Sequence, residues 1–354
     1  MSTKLTHSDE ILIRRCLQLA ANAAGLTFPN PVVGCVIVYN DKIIGEGWHK
    51  KAGEAHAEVA AIQNVVDKSL LKKATVYVSL EPCSHFGKTP PCVDLLIQHQ
   101  IKKVVVGTLD PNPLVAGKGI AKLKAAGIDV IVGCLELSCQ ISNKRFFTFH
   151  KKKRPYIVLK WAESADGFMA PLPEIRTKNT VFWLSDSFSQ QIVHQLRSHE
   201  HGILIGAKTL IDDNPKLNVR HWFGTDPMPF VLATPESIPK RHFLSINKRI
   251  NYLYNKDKKK LTTGDIITSL HKKNIQSVLI EGGLNVLQQF IEANLWDEIY
   301  NFRTPRNLKA GIEAPSISQQ PDQKIKLMKD TLFYFKNKAA ELDTNHQDNA
   351  SAYL

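Results

Sequence analysis

One residue separates His56 from Glu58, and Cys83 and Cys92 follow downstream; these four could do chemistry together. One imidazole and two soft thiolates make a three-ligand tetrahedral zinc site. Such a site keeps its fourth position open for a water, whose pKa the metal lowers to about 7. Glu58 is then free to carry a proton from that water to a departing group. The bland alternative, a histidine and two cysteines in an ordinary core, leaves Glu58, Glu81 and Pro82 beside them without a reason.

The order His-x-Glu, Pro-Cys, Cys is the signature of zinc nucleobase deaminases, whose glutamate is not a ligand. Their second half is usually Cys-x-x-Cys. Here Ser84-His85-Phe86-Gly87-Lys88-Thr89-Pro90-Pro91 stands between the cysteines.

Alternating strands and helices must position these groups. Glu10 to Ala24 has a helical apolar pattern, with Ile11, Leu12, Cys16, Leu19 and Ala23 on one side. Val32 to Tyr39, the Asn40-Asp41 turn and Lys42 to Trp48 read as a hairpin. Ala57 to Val66 is expected to be helical, so His56 and Glu58 sit at a helix start. Ala74 to Leu80 is a strand that ends at Glu81-Pro82-Cys83, and Cys92 to His99 is a second helix. Lys103 to Gly107 and Asp129 to Gly133 are further buried strands, with a helix over Lys118 to Ala126 between them. This pattern predicts an α/β sandwich.

At 354 residues the chain is too long for one such domain, and 43% apolar residues can bury two cores. No apolar run reaches the length of a membrane span, and Met1 to Glu10 lacks a signal-peptide core, so no membrane association is expected. The six cysteines show no disulfide framework. Cys16, Cys35, Cys134 and Cys139 read as buried thiols, which fits a cytoplasmic location. A net charge of +13 raises the question of nucleic acid. The lysines cluster in Lys151 to Arg154, read as an interdomain linker, and in Lys256 to Lys260, read as a loop. Neither cluster interleaves with aromatics as a single-strand binding groove does, so no nucleic acid is expected. A small phosphorylated substrate suits the same charge.

Pro155 to Trp161 opens a second domain, followed by a Ser164 to Gly167 turn. Asp186 to His199 is expected to be a helix with Phe188, Ile192, Val193 and Leu196 inward. Gly202 to Gly206 is a short strand, and Asp212-Asp213-Asn214-Pro215 reads as a loop. Ser277 to Ile280, Glu281-Gly282-Gly283 and a helix from Leu284 to Ala293 form a strand, a glycine pair and a helix. That arrangement can receive a phosphate at the helix start. No Gly-x-Gly-x-x-Gly occurs, so a Rossmann domain is not supported. Trp296 to Arg303 and Thr331 to Lys336 close the domain. The expected domains are 1–150 and 151–340, with a disordered tail over 341–354.

Nearly the whole chain resembles the bifunctional riboflavin-biosynthesis deaminase–reductase family. In the first domain the resemblance rests on Asn30-Pro31-x-Val33-Gly34, Gly45-Glu46-Gly47-Trp48-His49, His56-Ala57-Glu58, Glu81-Pro82-Cys83-Ser84-His85 and Thr89-Pro90-Pro91-Cys92. Asp110-Pro111-Asn112-Pro113 and Gly117-Lys118-Gly119 extend it, and the wide cysteine gap is that family's own spacing. In the second it rests on Leu159-Lys160, Asp166-Gly167, Trp183, Arg197, Thr209-x-x-x-Asp213-x-Pro215-x-Leu217-x-x-Arg220 and Glu281-Gly282-Gly283. Two positions depart from the pattern. Val181 replaces a serine two places before the tryptophan, and Val231-Leu232-Ala233-Thr234 replaces a strand that ends in aspartate.

The resemblance implies an α/β fold: a cytidine-deaminase-like α/β/α zinc domain followed by a dihydrofolate-reductase-like α/β domain. It implies Zn2+ on His56, Cys83 and Cys92, with Glu58 as the catalytic proton carrier. The substrate would be a diaminopyrimidinone carrying a phosphoribosylamino group, held by Asn30, His49, His85, Lys88 and Asn112. The second domain would then reduce the ribosyl to the ribityl chain with NADPH. Ala162, Trp183, Thr209, Asp213, Thr234, Gly283, Leu284 and Asn285 would line the cofactor; Arg197, Leu217, Arg220 and Glu281 would hold the substrate. A homo-oligomer is the expected assembly.

Two other readings stay open on the sequence. A tRNA adenosine or other nucleic-acid deaminase with a basic accessory domain explains the zinc residues and the charge, but neither the cysteine gap nor the second-domain motifs. A deaminase whose reductase domain has decayed draws on Val181 and Ala233 alone.

Overall fold

A computed structural model of the chain has two compact units, one ending at Lys152 and the next beginning at Lys153. It describes residues 4–86, 90–113, 115–172, 174, 182–240, 242, 250–255, 257 and 260–340. Lys88, Val181 and the 341–354 tail, all named in the sequence reading, lie outside the described residues.

The first unit carries β1 (Gly34–Tyr39), β2 (Lys42–Trp48), β3 (Thr75–Leu80), β4 (Lys103–Thr108) and β5 (Asp129–Val132) in one sheet of order β2-β1-β3-β4-β5. The β1/β2 and β1/β3 pairs are antiparallel, and β3/β4 and β4/β5 parallel. Its helices are α1 (His7–Ala21), α2 (Ala57–Asn64), α3 (Cys92–Gln98), α4 (Lys118–Ala125), α5 (Glu136–Ser142) and α6 (Lys144–Lys152). One core joins α2, α3 and α4 to Cys35, Ile37, Val76, Val78, Val104 and Val106. The other packs Ile13, Cys16 and Leu19 of α1 with Cys139 of α5 against Val36, Tyr77 and Val105. Strand alternation thus feeds two opposite faces, and the sandwich has three layers.

Several details differ from the expectation. α1 begins at His7 because Thr6 and Asp9 form a capping box, each side chain bonding the other's backbone N–H. Its inward residues are Ile13, Cys16, Leu19 and Ala20, whereas Ile11 is exposed. Lys151 and Lys152 end α6 instead of forming a linker, and Arg154 makes a bidentate pair with Asp297 at 2.6 and 2.8 Å. α2 stops at Asn64, where Val65 turns extended.

The second unit holds β6 (Tyr156–Glu163), β7 (Phe168–Ala170), β8 (Gly202–Gly206), β9 (Met228–Leu232), β10 (Asn251–Leu253), β11 (Ser277–Ile280), β12 (Glu298–Arg303), β13 (Ile312–Glu313), β14 (Gln323–Lys326) and β15 (Thr331–Lys336). Eight of these form one sheet of order β10-β9-β8-β11-β6-β12-β15-β14. It is parallel from β10 to β12 and antiparallel across β12/β15 and β15/β14. Helices α7 (Ser187–His199) and α8 (Ala207–Asp213) give Val193, Leu196 and Leu210 to one face. Helices α9 (Thr263–Lys272) and α10 (Leu284–Glu292) give Ile266, Leu270, Leu287 and Phe290 to the other.

In α7 the buried stripe is Ser189, Val193 and Leu196; Phe188, expected inward, is exposed. Asp212 and Asp213 end α8 instead of lying in a loop, and Asn214 closes it with a left-handed φ of 46°. Cys16, Cys35, Cys134 and Cys139 are buried free thiols. Among the described residues no helix is long and apolar enough to cross a membrane.

Candidate active sites

The first site lies at two helix starts. His56 is the N-cap of α2, with extended backbone, and Glu58 stands in the first turn. The helix can lie directly on β2 because Gly47 has no side chain: a Cβ there would come within 2.6 Å of the Ala61 nitrogen. Cys83 follows β3, and Cys92 is the first residue of α3. The Cys92 N–H donates to Cys83 Sγ at 3.3 Å, and the Val93 N–H to the Cys83 carbonyl at 3.2 Å. One sulfur therefore rests on the N-terminal end of the helix that carries the other.

His56 Nδ1 is 3.5 Å from Cys83 Sγ and 3.3 Å from Cys92 Sγ. The three ligand atoms lie within 4.8 Å of one another. A tetrahedral zinc with ordinary Zn–N and Zn–S bonds has N···S edges of about 3.6 Å, so this cluster fits the ion. Glu58 is 4% exposed, and burial, with the charge of Cys83 added, pushes its carboxyl up to about 7.

Asn30 and His49 join this cluster. His49 Nε2 is 3.1 Å from Asn30 Nδ2, and its Nδ1 is 3.1 Å from the Ala55 carbonyl. The carbonyl can only accept, so Nδ1 carries the proton and donates it, which leaves Nε2 to accept from the amide. Burial lowers the His49 pKa, and its ring meets that of His56 edge-on at 5.3 Å. His85 is exposed and Asn112 half-buried. Asp110, whose carboxylate accepts the Asn112 N–H at 2.7 Å, feels the charges of His85 and Cys83. Burial raises its own carboxyl to about 6. The sequence reading gave no role to Asp110, although it stands in a quoted motif.

The second unit has two adjoining cavities at the carboxyl ends of its parallel strands, where ligands of open α/β sheets bind. One, of about 860 Å³, is lined by Thr209 and Asp213 of α8, by Ala233 and Thr234 after β9, and by Gly283, Leu284 and Asn285 at the start of α10. Lys208 and Lys260 also border it. A helix start and two cations suit a dinucleotide's phosphates, and the volume suits a cofactor, so the residues fit NADPH. The other, of about 430 Å³, is lined by Lys160, Ala162, Trp183, His194, Arg197, Leu217 and Arg220. Met169, Thr209, Asp213, Glu281 and Gly282 border both. Ala162 and Trp183, expected on the cofactor, line the second of these two cavities.

Arg197 and Glu281 face each other across the second cavity's floor, Nε to Oε1 at 2.7 Å and Nη2 to Oε2 at 2.8 Å. Nη1 of Arg197 donates to the Asn218 carbonyl at 3.2 Å. Burial would raise the Glu281 carboxyl, but Arg197 and Lys160 outweigh it and hold it at about 2. Arg220 is exposed, lies 5.9 Å over the Trp183 ring, and donates its backbone N–H to His194 Nδ1 at 3.2 Å. His194 is 2% exposed; burial, then Arg197 and Arg220, lower it to about 4. Lys160, whose amine burial lowers, is a titratable group the site reading passed over although Leu159-Lys160 had been noted.

Residues 6–108 match the cytidine and deoxycytidylate deaminase zinc-binding region, and residues 155–338 the RibD C-terminal domain. The riboflavin biosynthesis protein RibD of Aquifex aeolicus is 38% identical over 324 residues, 86% of this chain and 89% of that protein. Acinetobacter baumannii RibD, form 2, superposes with a TM-score of 0.83 at 31% identity, covering 93% of this chain and 98% of that one. The Thermotoga maritima diaminohydroxyphosphoribosylaminopyrimidine deaminase/5-amino-6-(5-phosphoribosylamino)uracil reductase does so at 0.81 and 31% identity, covering 93% of this chain and 99% of that one. Fold and sites define a zinc deaminase joined to an NADPH-dependent reductase. The chain belongs to the RibD family of riboflavin biosynthesis proteins, and its activities are a deamination and a reduction. A nucleic-acid deaminase with an unrelated accessory domain does not account for matches that run through both units.

Proposed function

We propose that the first unit, residues 1–150, deaminates a diaminopyrimidinone carrying a phosphoribosylamino group, and that the second, 151–340, reduces the resulting ribosyl chain to ribityl. When bound, Zn2+ supplies an acidified water and NADPH a hydride. His56, Cys83 and Cys92 hold the metal. Glu58, buried against them, takes a proton at its carboxylate and delivers it to the departing ammonia. Asn30, His49, His85, Lys88 and Asn112 hold the pyrimidinone and its sugar phosphate.

In the second unit Thr209, Asp213, Thr234, Gly283, Leu284 and Asn285 receive the cofactor, with Ala162 and Trp183 at the wall towards the substrate. Arg197, Leu217, Arg220 and Glu281 hold the substrate. The Arg197–Glu281 fork fixes both side chains, and Arg220 offers a guanidinium to the phosphate. The protein works as a cytoplasmic homo-oligomer on a small phosphorylated substrate, without nucleic acid.

The observation that carries this reading is the His56, Cys83 and Cys92 cluster with Glu58 buried beside it, in one chain with two cavities that share a wall. The test supplies purified protein with the diaminopyrimidinone ribosyl phosphate and follows ammonia release and NADPH oxidation together. Both signals support the reading. Ammonia without NADPH oxidation favours a decayed reductase, in line with Ala233 at the cofactor cleft, and neither signal refutes the proposed substrate.

A further inference from the structure

One buried carboxylate outside the roles above gathers four backbone donors. Glu81, 4% exposed, directly follows β3 and leads into Pro82-Cys83. Its Oε2 accepts the N–H groups of Asp110 at 3.2 Å and Gly117 at 2.9 Å. Its Oε1 accepts those of Gly119 at 2.9 Å and Ile120 at 3.4 Å. A carboxylate that accepts on both oxygens is filled by such a set, and charge strengthens each bond.

These donors are not scattered. Asp110 and Gly117 are the two ends of the turn that carries Asn112, so a single oxygen pins both ends. Within the turn, the Asn112 N–H bonds Asp110 Oδ1, and the Asn112 carbonyl accepts the Val115 and Ala116 N–H groups at 2.8 and 2.9 Å. Gly117 takes a left-handed φ of 76°, and the second oxygen holds the first turn of α4. Gly119 lies directly on the metal loop: a Cβ there would come within 2.4 Å of the Pro82 carbonyl oxygen. The same backbone that delivers Cys83 thus sets the place of Asn112.

We propose that Glu81 is a positioning residue of the deaminase, which locks the Asp110–Gly119 segment to the metal loop and so presents Asn112 to the pyrimidinone. This rests on the substrate-holding role proposed for Asn112. Both Glu81 oxygens are occupied by backbone donors, so its loss acts on substrate binding more than on zinc or on the proton transfer by Glu58.

Glu81→Gln puts an amide nitrogen where two backbone donors point, which leaves them unsatisfied. The expected variant keeps its zinc, raises the deaminase KM by about tenfold or more, and lowers kcat far less. Asn112→Ala alone raises KM if Asn112 holds substrate; an unchanged KM there sinks that role, separately from the latch. With Asn112→Ala effective, the Glu81→Gln/Asn112→Ala double variant is expected to be no worse than Asn112→Ala. Additive losses, an unchanged KM in Glu81→Gln, or zinc loss in that variant overturn the proposal. Should Glu81→Gln not fold, Gly119→Ala, which pushes the segment off Pro82, decides by the same KM and zinc readings.

Discussion

Arg197 and Glu281, 84 positions apart in the chain, meet in a two-point fork of 2.7 and 2.8 Å that lines the smaller cavity of the reductase unit. Both side chains are about nine-tenths buried, at 9% and 10% exposure. Removing one partner strands the other's charge in a poorly hydrated place, at a cost of about 3–5 kcal/mol. Glu281→Ala is therefore expected to lower the unfolding free energy by that order, read by urea titration, while the Arg197→Met/Glu281→Leu double variant regains much of it. Neither is expected to reduce substrate. A double variant as unstable as Glu281→Ala would contradict the pairing argument. Because the folded pKa of Glu281 is depressed to about 2 from 4.5, its contribution is complete above pH 4.5 and fades as pH falls towards 2.

Glu58→Gln keeps the shape of the buried side chain but cannot carry a proton. Deamination is expected to fall by about 100-fold or more, with zinc content and reductase turnover unchanged. Turnover near that of the parent protein would remove Glu58 from the mechanism.

Cys92 brings its sulfur to within 3.3 Å of His56 Nδ1 and gives its N–H to the Cys83 sulfur, so it is proposed both to bind the metal and to hold another ligand. Cys92→Ser is expected to lose most of its zinc when the metal is measured by atomic emission after dialysis. Chelation of the parent protein is expected to lower the melting temperature of the deaminase unit, since the two helix starts are joined through the ion. Full zinc occupancy in Cys92→Ser would point to another ligand.

His194 is held neutral, with a folded pKa of about 4 against 6.5 unfolded. Between these values the unfolded chain binds a proton that the folded one does not. Stability is thus complete above pH 6.5 and falls as pH drops through the window towards 4. His194→Asn can still accept the Arg220 N–H yet cannot titrate. Its urea midpoint is expected to change less than the parent's between neutrality and about pH 5. Equal changes would show that His194 does not titrate in that range.

The metal residues were legible because few side chains bind zinc and their spacing is local: His56 and Glu58 fall on one helix start. The Lys42–Trp48 arm of the hairpin and the strands Gly202–Gly206 and Ser277–Ile280 were equally plain, being short apolar or alternating runs between turn residues. Helix α6 was hidden because its apolar stripe, Phe146, Phe147 and Phe149, is crowded by lysines that read as a linker. Asp212-Asp213-Asn214-Pro215 carries turn chemistry that belongs to a helix C-terminus. The Glu81 latch and the Arg197–Glu281 fork leave no local pattern, since each joins segments that only the fold brings together.

The eight-stranded sheet ends in β14, where Gln323, Lys324, Ile325 and Lys326 are all exposed. Among the described residues nothing pairs with its outer side, and a sheet edge is a template on which a strand of another copy could stack. Lys324 and Lys326 stand exposed on this strand, and charged side chains on an edge disfavour such pairing. Part of the excess positive charge is therefore placed where it disfavours such stacking. The guard is only as long as the Debye length, about 8 Å at physiological salt and 3 Å at 1 M. Concentrated stocks in strong salt are where β14 is least defended.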